Sequence, residues 1–274
     1  MKKTIMILLC IVVTQTAVAN SRCTITPGGW FTQERIDCSY REMRLPSSSV
    51  TERQIKWQLP LGTPPPGGWP VALMYQGALF EVEFSRHKNA AFGSYWEART
   101  IKALLDAGYA VIAPRAAAEL AWLTNSAGPA TVYNITTDYT FLNNVFTAIE
   151  LGMFGPLNAD RKYATGISSG GYNTSRMAVT WAGEFKALVI HSASYATCLG
   201  PVCVVPFNLP NDHPPTRFIH GFLDLVVPWW SMDLYHDRLL AEGVPTDRIT
   251  HAFGGHGWFP TSPQAVVAWF NAHP

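Results

Sequence analysis

The string Thr165-Gly166-Ile167-Ser168-Ser169-Gly170-Gly171-Tyr172 sets a serine between two glycines at the spacing G-x-S-x-G. A serine hydroxyl is a weak nucleophile until a base takes its proton and donors stabilise the anion it creates. The spacing suits that chemistry when a strand leads in and a helix leads out. Glycines two before and two after the serine then let both elements approach without Cβ clashes. Tyr163-Ala164-Thr165 reads as the strand, and 172–181 as the helix. The hydroxyl would stand at a helix N-terminus, where free amides favour a developing anion. By itself the pattern is weak, because a Gly/Ser-rich turn reads the same. Ser169 is the competing serine. It lacks the glycine spacing, and it is expected to supply its backbone N–H as an oxyanion donor instead.

The partners decide between these readings. A strand–turn–helix nucleophile takes its acid and then its histidine downstream in the chain. The segment 217–220 reads as a strand, and Asp224 sits in the loop after it. Asp212 precedes that strand, and Asp233 and Asp237 look like polar helix positions. Gly254-Gly255-His256-Gly257-Trp258 follows the last strand, and its glycines let the loop swing an imidazole back. His256 would take the Ser168 proton, and Asp224 would hold the ring's tautomer and stabilise the imidazolium. His251 falls inside the strand, while His191, His213 and His220 precede the acid, so chain order disfavours them. A second oxyanion donor should come from the loop after an early strand, and the Gln76 N–H is expected there. Val227, Trp229, Trp230 and Trp258 flank the acid and the base, so they are candidate substrate contacts. Together they favour a hydrophobic acyl or polyester chain over a sugar or charged peptide. The pattern shows no metal-ligand cluster and no phosphate-cradling loop, so neither a metal nor another cofactor is expected.

These residues need a scaffold. Short apolar runs at 71–75, 110–113, 163–165, 187–190, 217–220 and 249–253 read as strands. Helical patterns at 95–105, 139–151, 172–181, 232–241 and 264–271 alternate with them. Such alternation argues for an α/β fold, a mostly parallel central sheet with helices on both faces. Its functional loops lie at the carboxyl ends of the strands. The segment 30–58 reads as early strands in an irregular region, and Pro64-Pro65-Pro66-Gly67-Gly68 as a loop before the sheet.

Residues 1–19 read as an export signal: Lys2 and Lys3, an apolar run over 5–13, then Ala17-Val18-Ala19. Leu8 and Leu9 before Cys10 do not suit a lipid anchor, and no later apolar stretch reaches spanning length. Residues 20–274 are then expected to be one secreted, extracellular domain, although a periplasmic location would leave the same signature. Without Lys2 and Lys3, the 20 basic residues fall to 18 against 19 acidic, so there is no electrostatic footprint for nucleic acid or anionic lipid. Beyond Cys10 remain Cys23, Cys38, Cys198 and Cys203. An even number in an exported chain reads as disulfides, with three connectivities open. Nearness in sequence favours Cys23–Cys38 and Cys198–Cys203.

Four stretches resemble one known family. They are the run from Gly166 through Arg176-Met177, then His191-Ser192-Ala193-Ser194-Tyr195-Ala196-Thr197-Cys198, then His220-Gly221 through Asp224 to Val227-Pro228, and last Gly255-His256. They resemble the extracellular medium-chain-length polyhydroxyalkanoate depolymerases, across most of the chain from about Val71 onward. The resemblance implies an α/β-hydrolase fold, a triad of Ser168, Asp224 and His256, and hydrolysis of polyesters such as polyhydroxyoctanoate. Short-chain depolymerases usually carry a separate polymer-binding domain, and this chain has no room for one. Adsorption is then expected on an apolar surface of the catalytic domain, with its N-terminal region a candidate. Two other readings stay open: a general secreted carboxylesterase or lipase, and a hydrolase-fold protein that binds without turnover.

Overall fold

The computed structural model describes residues 20–125 and 132–274, so the expected signal over 1–19 lies outside the described residues. In chain order the strands are β1 (Cys23–Thr26), β2 (Arg35–Cys38), β3 (Arg41–Pro46), β4 (Glu52–Gln58), β5 (Trp69–Tyr75), β6 (Ser85–His87), β7 (Ala110–Pro114), β8 (Leu157–Ile167), β9 (Phe185–His191), β10 (Thr216–Gly221) and β11 (Thr246–His251). The helices are α1 (Ser94–Asp106), α2 (Thr137–Glu150), α3 (Ser169–Thr180), α4 (Trp229–Ala241) and α5 (Ser262–Ala272).

An eight-stranded sheet runs β11-β10-β9-β8-β5-β7-β4-β3. From β11 to β7 every pairing is parallel, and β4 and β3 extend the sheet antiparallel. The early strands are therefore less irregular than their sequence suggests, because β3 and β4 form one edge of the main sheet. Only β1, β2 and β6 stand apart, as a small antiparallel sheet. Cys23 and Cys38 are directly opposed across β1 and β2 and form one disulfide; Cys198–Cys203 is the other.

The central strands are buried on both faces, so their sequences are continuously apolar, yet their side chains still alternate. Ala72 and Met74 of β5 join the core under α1 and α5, with Ile101, Leu105, Val266 and Phe270. Val71, Leu73 and Tyr75 join the opposite core under α2 and α3, with Phe141, Leu142, Val145 and Met177. The second face continues under α4, where Phe218 of β10 meets Met232, Tyr235 and Leu239. Each fully buried side chain of this size contributes roughly 1.5–3 kcal/mol. With both faces clamped in this way, the carboxyl ends of β5, β8 and β10 are rigid mounts.

Candidate active site

The strand β8 ends at Ile167 and α3 begins at Ser169. Ser168 between them has φ 55° and ψ −122°, a left-handed conformation that costs a non-glycine residue about 1–3 kcal/mol. Its N–H donates to the His191 carbonyl at 3.1 Å, and its carbonyl accepts from the Tyr172 N–H at 3.0 Å. The flanking glycines are required by contact. A Cβ on Gly170 would stand 2.1 Å from the Tyr75 carbonyl oxygen, and one on Gly166 would stand 2.5 Å from that of Gly170. The turn thus lifts Ser168 out of the sheet. Ser169 is turned away: its buried Oγ accepts the Trp122 N–H at 2.9 Å. As the first residue of α3, its own N–H has no intrahelical acceptor, which fits the oxyanion expectation.

Asp224 follows β10, and its side chain is fully buried. Oδ1 accepts the N–H groups of Val226 and Val227 at 2.9 and 2.8 Å, and Oδ2 faces Nδ1 of His256 at 2.8 Å. His220 stands behind it. Its Nε2 lies 2.9 Å from the Val227 carbonyl and 3.3 Å from Asp224 Oδ2. Two acceptors there require the proton on Nε2, and Nδ1 is buried without a partner. Burial alone would raise the Asp224 carboxyl, but the hydrogen bonds from His220, His256 and Val227 hold it far below the usual carboxylate range. Chain order excluded His220 as the base and so hid its place beside the acid.

His256 sits in the loop between β11 and α5. Spending Nδ1 on Asp224 leaves Nε2 for Ser168. The Gly257 N–H donates to Ser192 Oγ at 3.2 Å, the Trp258 N–H donates to the Phe92 carbonyl at 2.9 Å, and the Phe92 ring meets the imidazole edge-on. Ser168 and His256 line the same cavity of about 200 Å³. Among the described residues no hydrogen bond joins the Ser168 hydroxyl to His256. Catalytic hydrogen bonds often tighten only with substrate bound.

Gln76 is not at the cavity. Its side-chain oxygen accepts the Ala116 N–H at 3.1 Å and its carbonyl accepts the Trp122 indole N–H at 3.2 Å, both in the protein interior. These bonds turn the residue inward, and Gly77 and Ala78 line the wall instead. The tryptophan expectations divide as well. Trp258 and Val226 line the cavity, whereas Val227 packs in the core under α4. Trp229 and Trp230 form the first turn of α4 rather than a loop. Trp229 donates its indole N–H to Thr250 Oγ1, with the Arg248 guanidinium over its ring. Neither tryptophan lines the cavity.

Residues 77–97 supply the other wall, including Leu79, Phe80 and Phe92, which are partly to largely exposed. Leu79 and Phe92 have φ of 68° and 52°, so with Ser168 three left-handed non-glycine residues line one cavity. Such strain is concentrated at working sites. The apolar Leu79-Phe80 pair just after a loop glycine was the available sequence signal. Elsewhere, Asp233, His236 and Asp237 bring ligand-type atoms together among the described residues, but Arg248 pairs with Asp233 and approaches Asp237 there.

No family model matches the chain. It is 58% identical over 269 residues to the poly(3-hydroxyoctanoate) depolymerase of Pseudomonas fluorescens, covering 98% of this chain and 97% of that protein. Solved structures share the fold at low identity. The S-formylglutathione hydrolase of Staphylococcus aureus matches at 15% identity and a TM-score of 0.57, over 91% of this chain and 99% of that one. A putative dienelactone hydrolase from Klebsiella pneumoniae gives 17% and 0.55, over 85% and 99%. A thermostable esterase gives 16% and 0.61, over 85% and 62%.

Proposed function

The chain belongs to the poly(3-hydroxyoctanoate) depolymerase family and has the α/β-hydrolase fold, and from that premise we propose that it hydrolyses medium-chain-length polyhydroxyalkanoates through an acyl-enzyme on Ser168. The observation that carries this reading is the Asp224–His256 hydrogen bond beside a strained serine in an apolar cavity. His256 Nε2 takes the Ser168 proton as Oγ attacks the ester carbonyl. The oxyanion is held by the N–H of Ser169 and an N–H of the Gly77 loop; one such donor is typically worth about 100- to 1,000-fold in rate. His256 then returns the proton to the departing alkoxide. A water molecule, deprotonated by the same imidazole, releases the 3-hydroxyacyl group and restores Ser168. Asp224, kept ionised by its donors, holds the ring and stabilises the imidazolium.

The surface supports a solid polyester over a small soluble ester. Leu79, Phe80, Phe92 and Val226 carry the cavity lining out to solvent, and Leu225 beside them is 95% exposed. Trp30 and Phe31 are fully exposed in the N-terminal region. Contiguous exposed apolar surface of this kind suits adsorption to a hydrophobic bead. Export of residues 20–274 as one domain belongs to the same proposal. The two disulfides fit an oxidising compartment, and no helix among the described residues is long and apolar enough to cross a membrane. Clearing of polyhydroxyoctanoate and polyhydroxybutyrate latexes, side by side with Ser168→Ala, tests the reading. Clearing of the octanoate latex only, lost with Ser168, is the expected result.

A further inference from the structure

Between the strands that lead to the nucleophile and the acid lies β9, which supplies no triad residue. Ile167, His191 and Ile219 are register partners across β8, β9 and β10, so Ser168, Ser192 and His220 follow at one level. Ser192 is fully buried and has φ 44°, a left-handed conformation for a residue with a Cβ. It does not line the cavity that holds Ser168 and His256. Its hydroxyl bonds one residue twice. The Gly257 N–H donates to Oγ at 3.2 Å, and Oγ donates to the Gly257 carbonyl at 3.3 Å. Gly257 is buried, and among the described residues neither of its backbone groups has another partner. It is the residue directly after His256.

The same end of β9 is tied to the other two triad members. The His191 carbonyl accepts the Ser168 N–H, and the Ser192 N–H donates to the Ile219 carbonyl of β10, each at 3.1 Å. Asp224 lies in the turn after β10. The His256 loop has two further supports. The Gly254 carbonyl accepts the Leu223 N–H, and the Trp258 N–H donates to the Phe92 carbonyl, each at 2.9 Å. Leu223 and Phe92 are themselves exposed, whereas Ser192 sits at the end of a central strand. Leaving the buried Gly257 N–H and carbonyl unmet would cost more than the bonds contribute. A left-handed non-glycine residue persists only where its surroundings over-determine it. We propose that Ser192 is a positioning residue whose hydroxyl, through Gly257, fixes the His256 imidazole between Asp224 and Ser168. The assignment rests on the reading of Ser168, Asp224 and His256 as a catalytic triad. It makes the end of β9 the joint that holds nucleophile, acid and base in one register.

The test is hydrolysis of 4-nitrophenyl octanoate by the full chain, with kcat and KM read per active site. Sites are counted by phosphonylation of Ser168 with a 4-nitrophenyl alkylphosphonate run to completion, which releases a nitrophenolate per site. Counting removes any unfolded fraction, so a fold defect alone leaves kcat per site unchanged. Ser192→Ala should lower kcat by roughly ten- to a hundredfold with KM within about twofold, the scale of a misplaced reacting group. Ser192→Gly also lacks the hydroxyl but relaxes the positive φ, and it should lose as much. It carries the test if Ser192→Ala does not fold. Ser262→Ala is the control. It removes buried hydrogen bonds to His191 Nε2 and the Phe259 N–H, farther along the same loop, and should keep kcat per site near wild type. Wild-type kcat per site in the Ser192 variants, or an equal loss in Ser262→Ala, overturns the positioning role. Mass spectrometry of the label separates the two claims. Phosphonate on a residue other than Ser168 fails the triad reading, whereas phosphonylated Ser168 with unmoved Ser192 variants removes the positioning role alone.

Discussion

The two walls of the catalytic cavity are built on opposite principles. The triad wall comes from loops at the ends of β8, β10 and β11, and the atoms that set its geometry are paired: both Asp224 oxygens, His256 Nδ1, His220 Nε2 and the Ser168 backbone, with only His220 Nδ1 left over among these groups. The facing wall, from 77–97, comes from a short strand, turns and the start of α1, with Leu79, Phe80 and Phe92 exposed along it. The contrast teaches a division of labour. Paired hydrogen bonds fix geometry to fractions of an ångström, as proton transfer requires. Exposed apolar side chains leave water only when a ligand covers them, which is how such a wall selects substrate.

Substitutions on each wall should therefore fail differently. Ser168→Ala should lower kcat by about a million-fold on every ester, because without the nucleophile the rest of the triad is idle. Activity within tenfold of wild type on a soluble ester would break the comparison at its base. His220→Phe should leave the nucleophile and base in place but loosen the acid. The expected loss is roughly ten- to a hundredfold in kcat with KM little changed, since small misplacements at the reacting centre are costly. A rise in KM alone would move His220 out of the triad wall.

On the facing wall, the double variant Leu79→Ser, Phe80→Ser should weaken binding to polyhydroxyoctanoate latex by about tenfold, judged from the apolar area removed. Its kcat on a soluble ester should fall by less. Equal losses on latex and soluble ester would erase the distinction between the walls. The smallest effect concerns pH. Burial raises the Glu97 carboxyl from its ordinary 4.5 to about 8, so the fold favours the protonated form. That contribution is fully present below about pH 4.5 and is lost as pH rises through 8. The denaturation midpoint should fall between pH 5 and 9, and Glu97→Gln should flatten the fall. Asp224 acts with the opposite sign, losing its contribution only as pH drops below the ordinary carboxylate range, outside this window.

The triad wall was largely legible in the sequence. A parallel sheet puts functional loops at strand ends in chain order, so Ser168, Asp224 and His256 could be ranked by position, and the strand-to-helix turn demands glycine at Gly166 and Gly170. The facing wall was not legible. It has no long periodic element, since β6 spans three residues, and its direction depends on what lies beneath it. Gln76 illustrates the point: the residue after β5 was the natural oxyanion choice, but bonds to Ala116 and Trp122 turn it inward and leave Gly77 at the cavity. Trp229 and Trp230 were misread for a local reason. Pro228 is the N-cap of α4, whose first turn holds both residues, and neither lines the cavity.

The sequence by itself determined the order of strands and helices, the elbow with its glycines, and the pairing of an acid with a histidine. These follow from local backbone sterics and hydrophobic period. Only the tertiary structure decided that β3 and β4 join the main sheet, that His220 backs the acid, and that Glu97 and Trp258 share one cavity. Apart from His220, which lies four residues before its acid, those facts join residues tens to more than a hundred positions apart, and close packing of two helical layers on one sheet is what brings them together.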